Sequence, residues 1–170
     1  METSTKKAGL NRNTALLIAK YLILLAMGAY VALTVLVQWQ KNLPFDQVGT
    51  AVEQAINQET MQNAEIRGFQ RFYGLKASEY EGVLLYQSVS GMSAEEILLV
   101  KVKDTDQLEP LKEAIEKRRE ARINDFSGYA PEEAALMENA ELMVKGKFVL
   151  FLPYSEADQL KKAFFTALGE

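Results

Sequence analysis

The chain has 170 residues, with 19 basic and 23 acidic side chains, no histidine and no cysteine. The missing cysteine excludes disulfides, thiolate catalysis and a lipid-modified cysteine, and without histidine a typical zinc site is lost as well. Removing the first 37 residues leaves roughly 130, the size of one ordinary domain.

Residues 1–14 form a polar, basic tail that reads as disordered. Lys6, Lys7, Arg12 and Lys20 against Glu2 give residues 1–20 a formal +3, and the remainder is a formal −7. That acidic remainder argues against a nucleic-acid partner, which needs clustered Lys and Arg.

Residues 15–37, ALLIAKYLILLAMGAYVALTVLV, carry one charge, Lys20. A 23-residue helix measures about 34 Å, enough to cross a bilayer. The basic flank predicts an N-terminus in the cytoplasm and a C-terminus outside it. Lys20 can extend toward the inner interface, and Tyr21 and Trp39 suit the two interfaces. A cleaved signal peptide is the rival reading, with Ala26-Met27-Gly28 as a small-x-small site. The apolar run, however, continues from Ala29 to Val37, where a mature N-terminus would turn polar. Gly28 and Ala32 form a small-xxx-small pair, a weak signal for helix pairing.

Residues 38–44 read as a linker, and 45–170 as the extracytoplasmic domain. Phe45, Val48, Val52 and Ile56 predict an amphipathic helix over Phe45–Asn57, followed by a polar break at Gln58–Gln62. Ile66, Phe69, Phe72 and Tyr73 predict a second helix, N-capped by Asn63 and ended by Gly74, with the aromatics in the core. The pattern then changes period. Val83–Tyr86 and Ile97–Lys103 are β-prone and joined by the polar loop Ser88–Ser93, a hairpin signal. A long helix is expected over Gln107–Phe126, with Pro110 in its first turn. Pro131, Glu132 and Glu133 open a short helix that ends by Asn139. Glu141–Lys145 and Lys147–Leu152 flank Gly146 as a second hairpin, and the uninterrupted apolar run Phe148–Leu152 predicts an interior strand. Ser155 and Asp158 resemble a capping box for a last helix bearing Leu160, Phe164 and Leu168. The expected fold is α+β: an N-terminal transmembrane helix, two short helices, then an antiparallel sheet of about four strands in ββαββα order. Val100, Val102, Leu150 and Ile115 are expected together where the sheet meets the long helix.

The runs GMSAEEILLVKVKD, LKEAIEKRREARINDF and SGYAPEEAALMENAELMVKGKFVLFLPYSEADQL resemble a bacterial domain family of unknown function. Its members are small extracytoplasmic proteins tethered by a lipoprotein signal or a membrane helix. Ser93-Ala94-Glu95-Glu96, Lys117-Arg118, Tyr129-Ala130-Pro131-Glu132 and the Gly146 turn carry the resemblance, which covers roughly Phe45 to the end. Without a cysteine, this chain departs from the lipoprotein form, so the resemblance implies a helical tether. It implies no activity.

No catalytic, cofactor or metal signature stands out. Gly91-Met92-Ser93-Ala94-Glu95 begins like a nucleophile elbow but lacks its second Gly, and no His exists to activate Ser93. Glu95 and Glu96 are neighbours whose side chains point to opposite faces of a strand, so they are not a catalytic pair. Asp104-Thr105-Asp106 is better explained by helix capping than by a divalent ion. On the long helix, Leu108, Leu111, Ile115 and Phe126 define one face that also takes Arg119 and Arg122, with Arg118 flanking it. Their stems can cover apolar surface near a helix C-terminus. Alternatively, the three arginines face a carboxylate, a phosphate or an anionic partner. Two function classes follow. One is a membrane-anchored domain, held by the bilayer through residues 15–37, that binds a protein or anionic envelope component. The other is a carboxylate-dependent envelope hydrolase or transferase.

Overall fold

The computed structural model describes residues 12–170, which divide into two compact units between Trp39 and Gln40. Among the described residues the first unit is helical throughout, as part of α1 (Arg12–Asn42), whose stretch Leu16–Thr34 is long and apolar enough to cross a membrane and is nowhere buried against protein. Length and composition of this kind suit a membrane span and a signal sequence alike. The helix takes in residues 12–14 of the expected tail and 38–42 of the expected linker. The rest of the tail, residues 1–11, lies outside the described residues.

The second unit is α+β, with a five-stranded antiparallel sheet in the order β1-β2-β3-β5-β4. The strands are β1 (Met61–Asn63), β2 (Gly82–Ser88), β3 (Glu96–Lys101), β4 (Glu141–Lys145) and β5 (Phe148–Leu152). Both expected hairpins form: Leu84 pairs with Leu99 across β2 and β3, and Met143 with Leu150 across β4 and β5. The sheet corrects the expected strand count and order. β1 falls at the expected polar break, where only Met61 is apolar and buried, so periodicity carried no strand signal. Its pairing of Gln62 with Gln87 comes from the edge of β2. The second hairpin also joins the first through β5, with Leu99 opposite Leu150, which leaves β4 at the edge.

Helices cover both faces of the sheet. α3 (Glu65–Tyr73), α4 (Leu108–Ser127) and α5 (Pro131–Glu138) pack on the face of Leu98, Val100, Val149 and Phe151. α2 (Phe45–Gln54) and α6 (Ala157–Leu168) pack on the face of Ile97, Leu99, Phe148 and Leu150. The strict alternation of a strand divides the two cores. This corrects one expected grouping: Val100, Val102 and Ile115 share a core, whereas Leu150 lies in the other, one position out of phase with Val149. β3 and β5 are buried at every residue. That burial includes Lys101, whose Nζ donates to the Leu43 carbonyl (2.5 Å) and to Glu81 (2.6 Å).

Local signals set several ends. Gly74 ends α3 at φ +70°, and Gly146 turns the second hairpin at φ +58°. Asn63 ends β1 and does not stand next to α3, yet its Oδ1 still accepts the Glu65 N–H at 2.7 Å. The expected capping box at α6 is absent. Ser155 instead gives its N–H and hydroxyl to Glu95, at 3.2 and 2.5 Å, because the sheet carries Glu95 to that loop.

Candidate functional site

The C-terminal half of α4 is short of apolar residues on its inward side. Leu111 and Ile115 are fully buried, and Phe126 is buried eleven residues later. Between them the inward positions fall to Ile123 and to Arg118, Arg119 and Arg122, whose side chains are only 15%, 20% and 20% exposed. Their stems fill core space, and their guanidinium groups must find partners at its rim.

Arg118 finds Glu96. Its Nη2 and Nε donate to Glu96 Oε2 at 2.6 and 3.2 Å, and its guanidinium stands 4.2 Å from the centre of the Phe72 ring. Glu96 is buried, and its other oxygen accepts the hydroxyl proton of Tyr73. Burial first, and then the Glu96 charge, raise the Tyr73 pKa well above its ordinary value, so the phenol stays a donor. Three elements thus converge on one carboxylate: α3 through Tyr73, β3 through Glu96 and α4 through Arg118.

Arg122 lies one turn further along. Its Nη2 donates to the Ser93 carbonyl at 2.9 Å, and Asp125 approaches Nη1 only to 3.8 Å. Its Nε is buried without a hydrogen-bond partner. Burial first, and then the neighbouring Arg118 charge, lower the Arg122 pKa from its ordinary value. The Arg122 guanidinium carbon stands 4.3 Å from the Phe126 ring centre, so a cation–π contact and a distant carboxylate are what offset its burial. Arg119 is turned elsewhere: it donates to the Ala140 carbonyl at 3.0 Å, lies 5.3 Å from the Phe151 ring centre, and also has a buried unpartnered Nε.

Arg118 and Arg122 line a cleft of about 270 Å³ at the Ser88–Glu96 end of the sheet. Arg71 of α3, an exposed side chain 4.6 Å from the Phe72 ring centre, lines it as well. Loop residues Ser88, Ser90 and Ser93 complete a polar rim. The two acids that reach the cleft are both engaged, Glu96 as above and Glu95 by Ser155. The Ser93 hydroxyl shares Glu133 Oε2 with the Ala94 N–H, at 3.3 and 2.6 Å, and accepts the Glu95 N–H at 3.2 Å. Asp104 belongs to the turn before α4, where its N–H donates to Gln107 Oε1. Among the described residues no group of three or more His, Cys, Asp or Glu side chains gathers to hold a metal ion.

The cleft unites two of the three arginines that the sequence singles out, places Arg119 apart, and adds Arg71 and Glu96. Arg71 carried no usable signal, since it sits on an exposed helix face beside aromatics that read as core. A family model described as a domain of unknown function, DUF4358, matches residues 54–153. That span runs from the end of α2 to just past β5 and contains the whole cleft. No curated protein and no solved structure matches the chain.

Proposed function

The chain belongs to the DUF4358 family, a domain of unknown function, and from that premise we propose a membrane-anchored domain outside the cytoplasm that binds an anionic partner in the arginine cleft. The apolar α1, the basic residues before it and the absence of cysteine favour a retained helical anchor. The organisation that fits is a cytoplasmic tail, a membrane helix and an extracytoplasmic domain over residues 45–170.

The observation that carries the binding reading is the imbalance at Arg122. Three guanidinium groups border the cleft, Arg118 alone is matched by a close carboxylate, and Arg122 is half-buried with its charge disfavoured. A bound anion would relieve that imbalance. An envelope hydrolase or transferase would want free acids converging on a reacting atom. Here Glu96 is buried under Tyr73 and Arg118, and Glu95 is held by Ser155, which favours binding over catalysis.

The test is a thermal melt of the full chain in zwitterionic nanodiscs, comparing acetate and phosphate with chloride at matched ionic strength. A ligand that binds only the folded state raises the midpoint. We expect a rise for the parent that is lost in Arg71→Gln with Arg122→Gln. An identical response in parent and variant would overturn the reading.

A further inference from the structure

Resting on the anion-binding reading, we infer that the ligand of the cleft is a single carboxylate carried on a small apolar body. Charge decides between a monoanion and a dianion. Arg71, Arg118 and Arg122 meet Glu95 and Glu96 around the same cleft, which leaves one net positive charge. One carboxylate neutralises that excess, whereas a phosphate dianion would add a second negative charge beside two fixed acids.

Geometry agrees. Arg118 spends Nε and Nη2 on Glu96, and its guanidinium carbon lies 4.2 Å from the Phe72 ring centre, so the group is fixed in orientation before any ligand arrives. A fixed planar guanidinium suits a planar carboxylate better than a tetrahedral anion that needs donors from several directions. Glu96 and Tyr73 act here as positioning residues. The cleft volume of about 270 Å³ lies below the usual range of drug-sized ligand pockets, roughly 300–1,000 Å³, so the body is small.

The apolar part follows from the rim. Phe72 and Val89 line the cleft. Val89 is 55% exposed, one of the few large apolar side chains that this unit leaves in water. A short aliphatic group laid against them would be removed from water along with them. Both a free small acid and the C-terminus of a peptide present this chemistry.

The deciding experiment titrates the full chain in zwitterionic nanodiscs by calorimetry with N-acetyl-leucine, N-acetyl-leucinamide, a peptide ending in a free Leu carboxylate, and inorganic phosphate. N-acetyl-leucine should bind, and the amide should bind about tenfold or more weakly, the worth of one charge-assisted contact. Arg122→Gln should lose that preference and Arg122→Lys should restore only part of it, while both variants still unfold in a single cooperative melt above the titration temperature. A peptide that binds more tightly than the free acid would identify a chain terminus as the source, and the reverse a small metabolite-sized acid. Equal binding of acid and amide would overturn the inference. Binding of phosphate without the acid would overturn it while leaving the anion reading intact. Silence from every probe would remove both.

Discussion

Glu96 and Arg118 meet at 2.6 Å on the inner face of α4, with the carboxylate 2% and the guanidinium side chain 15% exposed. The pair joins β3 to α4 at the point where the apolar stripe of that helix runs out. Such a pair is costly to break from one side, because the remaining charge stays buried. Glu96→Ala should therefore destabilise the domain by about 3–5 kcal/mol, and replacing both residues by Leu and Met should recover most of that loss. Denaturation midpoints of the parent, the single variant and the double variant measure it. A single substitution without effect would show that the pair opens to water.

Ile115 and Leu150 are both fully buried, in cores on opposite faces of the sheet. Each change to Ala should cost about 2–5 kcal/mol. The double variant should lose the sum to within about 0.5 kcal/mol, because the sites share no partners. Strong coupling in urea unfolding would contradict the two-core arrangement.

Gly82 opens β2 directly beneath Phe45, the first residue of α2. A Cβ at Gly82 would lie 2.1 Å from the Phe45 ring. Gly82→Ala should cost about 1–3 kcal/mol through overpacking, and Phe45→Leu in the same chain should relieve part of it. Thermal melts of the single and double variants read the outcome; additive losses would mean that the two residues do not touch.

Tyr73 sets an alkaline limit. Its folded pKa stands well above the ordinary tyrosine value, raised first by burial and then by Glu96. Above about pH 10 the unfolded chain releases the phenolic proton while the folded chain retains it, so stability falls as pH rises. Tyr80, Tyr86 and Tyr154 are raised too and add to the slope. Tyr73→Phe should be less stable than the parent near neutrality, having lost the Glu96 contact, and should show a shallower decline above pH 10. Parallel melting curves against pH would refute this.

Anchor and orientation are open to protease. Added to intact protoplasts, it should digest the domain after Lys41 and leave a fragment of the tail and α1. Protection of the domain until lysis would reverse the assigned orientation, and recovery of a shed domain would favour cleavage of the apolar segment.

The sequence by itself determined the elements whose signals are local. The apolar run of α1, Pro110 and Pro131 in helix first turns, Gly74 and Gly146 at positive φ, and the unbroken run Phe148–Leu152 each follow from side-chain solubility or backbone freedom within a few residues. It also placed arginines on the inward side of α4, since helical spacing alone does that. Tertiary structure decided what spacing cannot encode. β1 exists because β2 offers an unpaired edge, and β5 lies beside β3 because strand order is a matter of long-range pairing. Arg118 is matched to Glu96, 22 residues away, Arg122 is left short of a partner, and Arg71 reaches the same cleft from another helix. Burial and charge complementarity between distant residues are properties of the packed molecule. The cleft therefore appears only when β3, α3 and α4 are brought together.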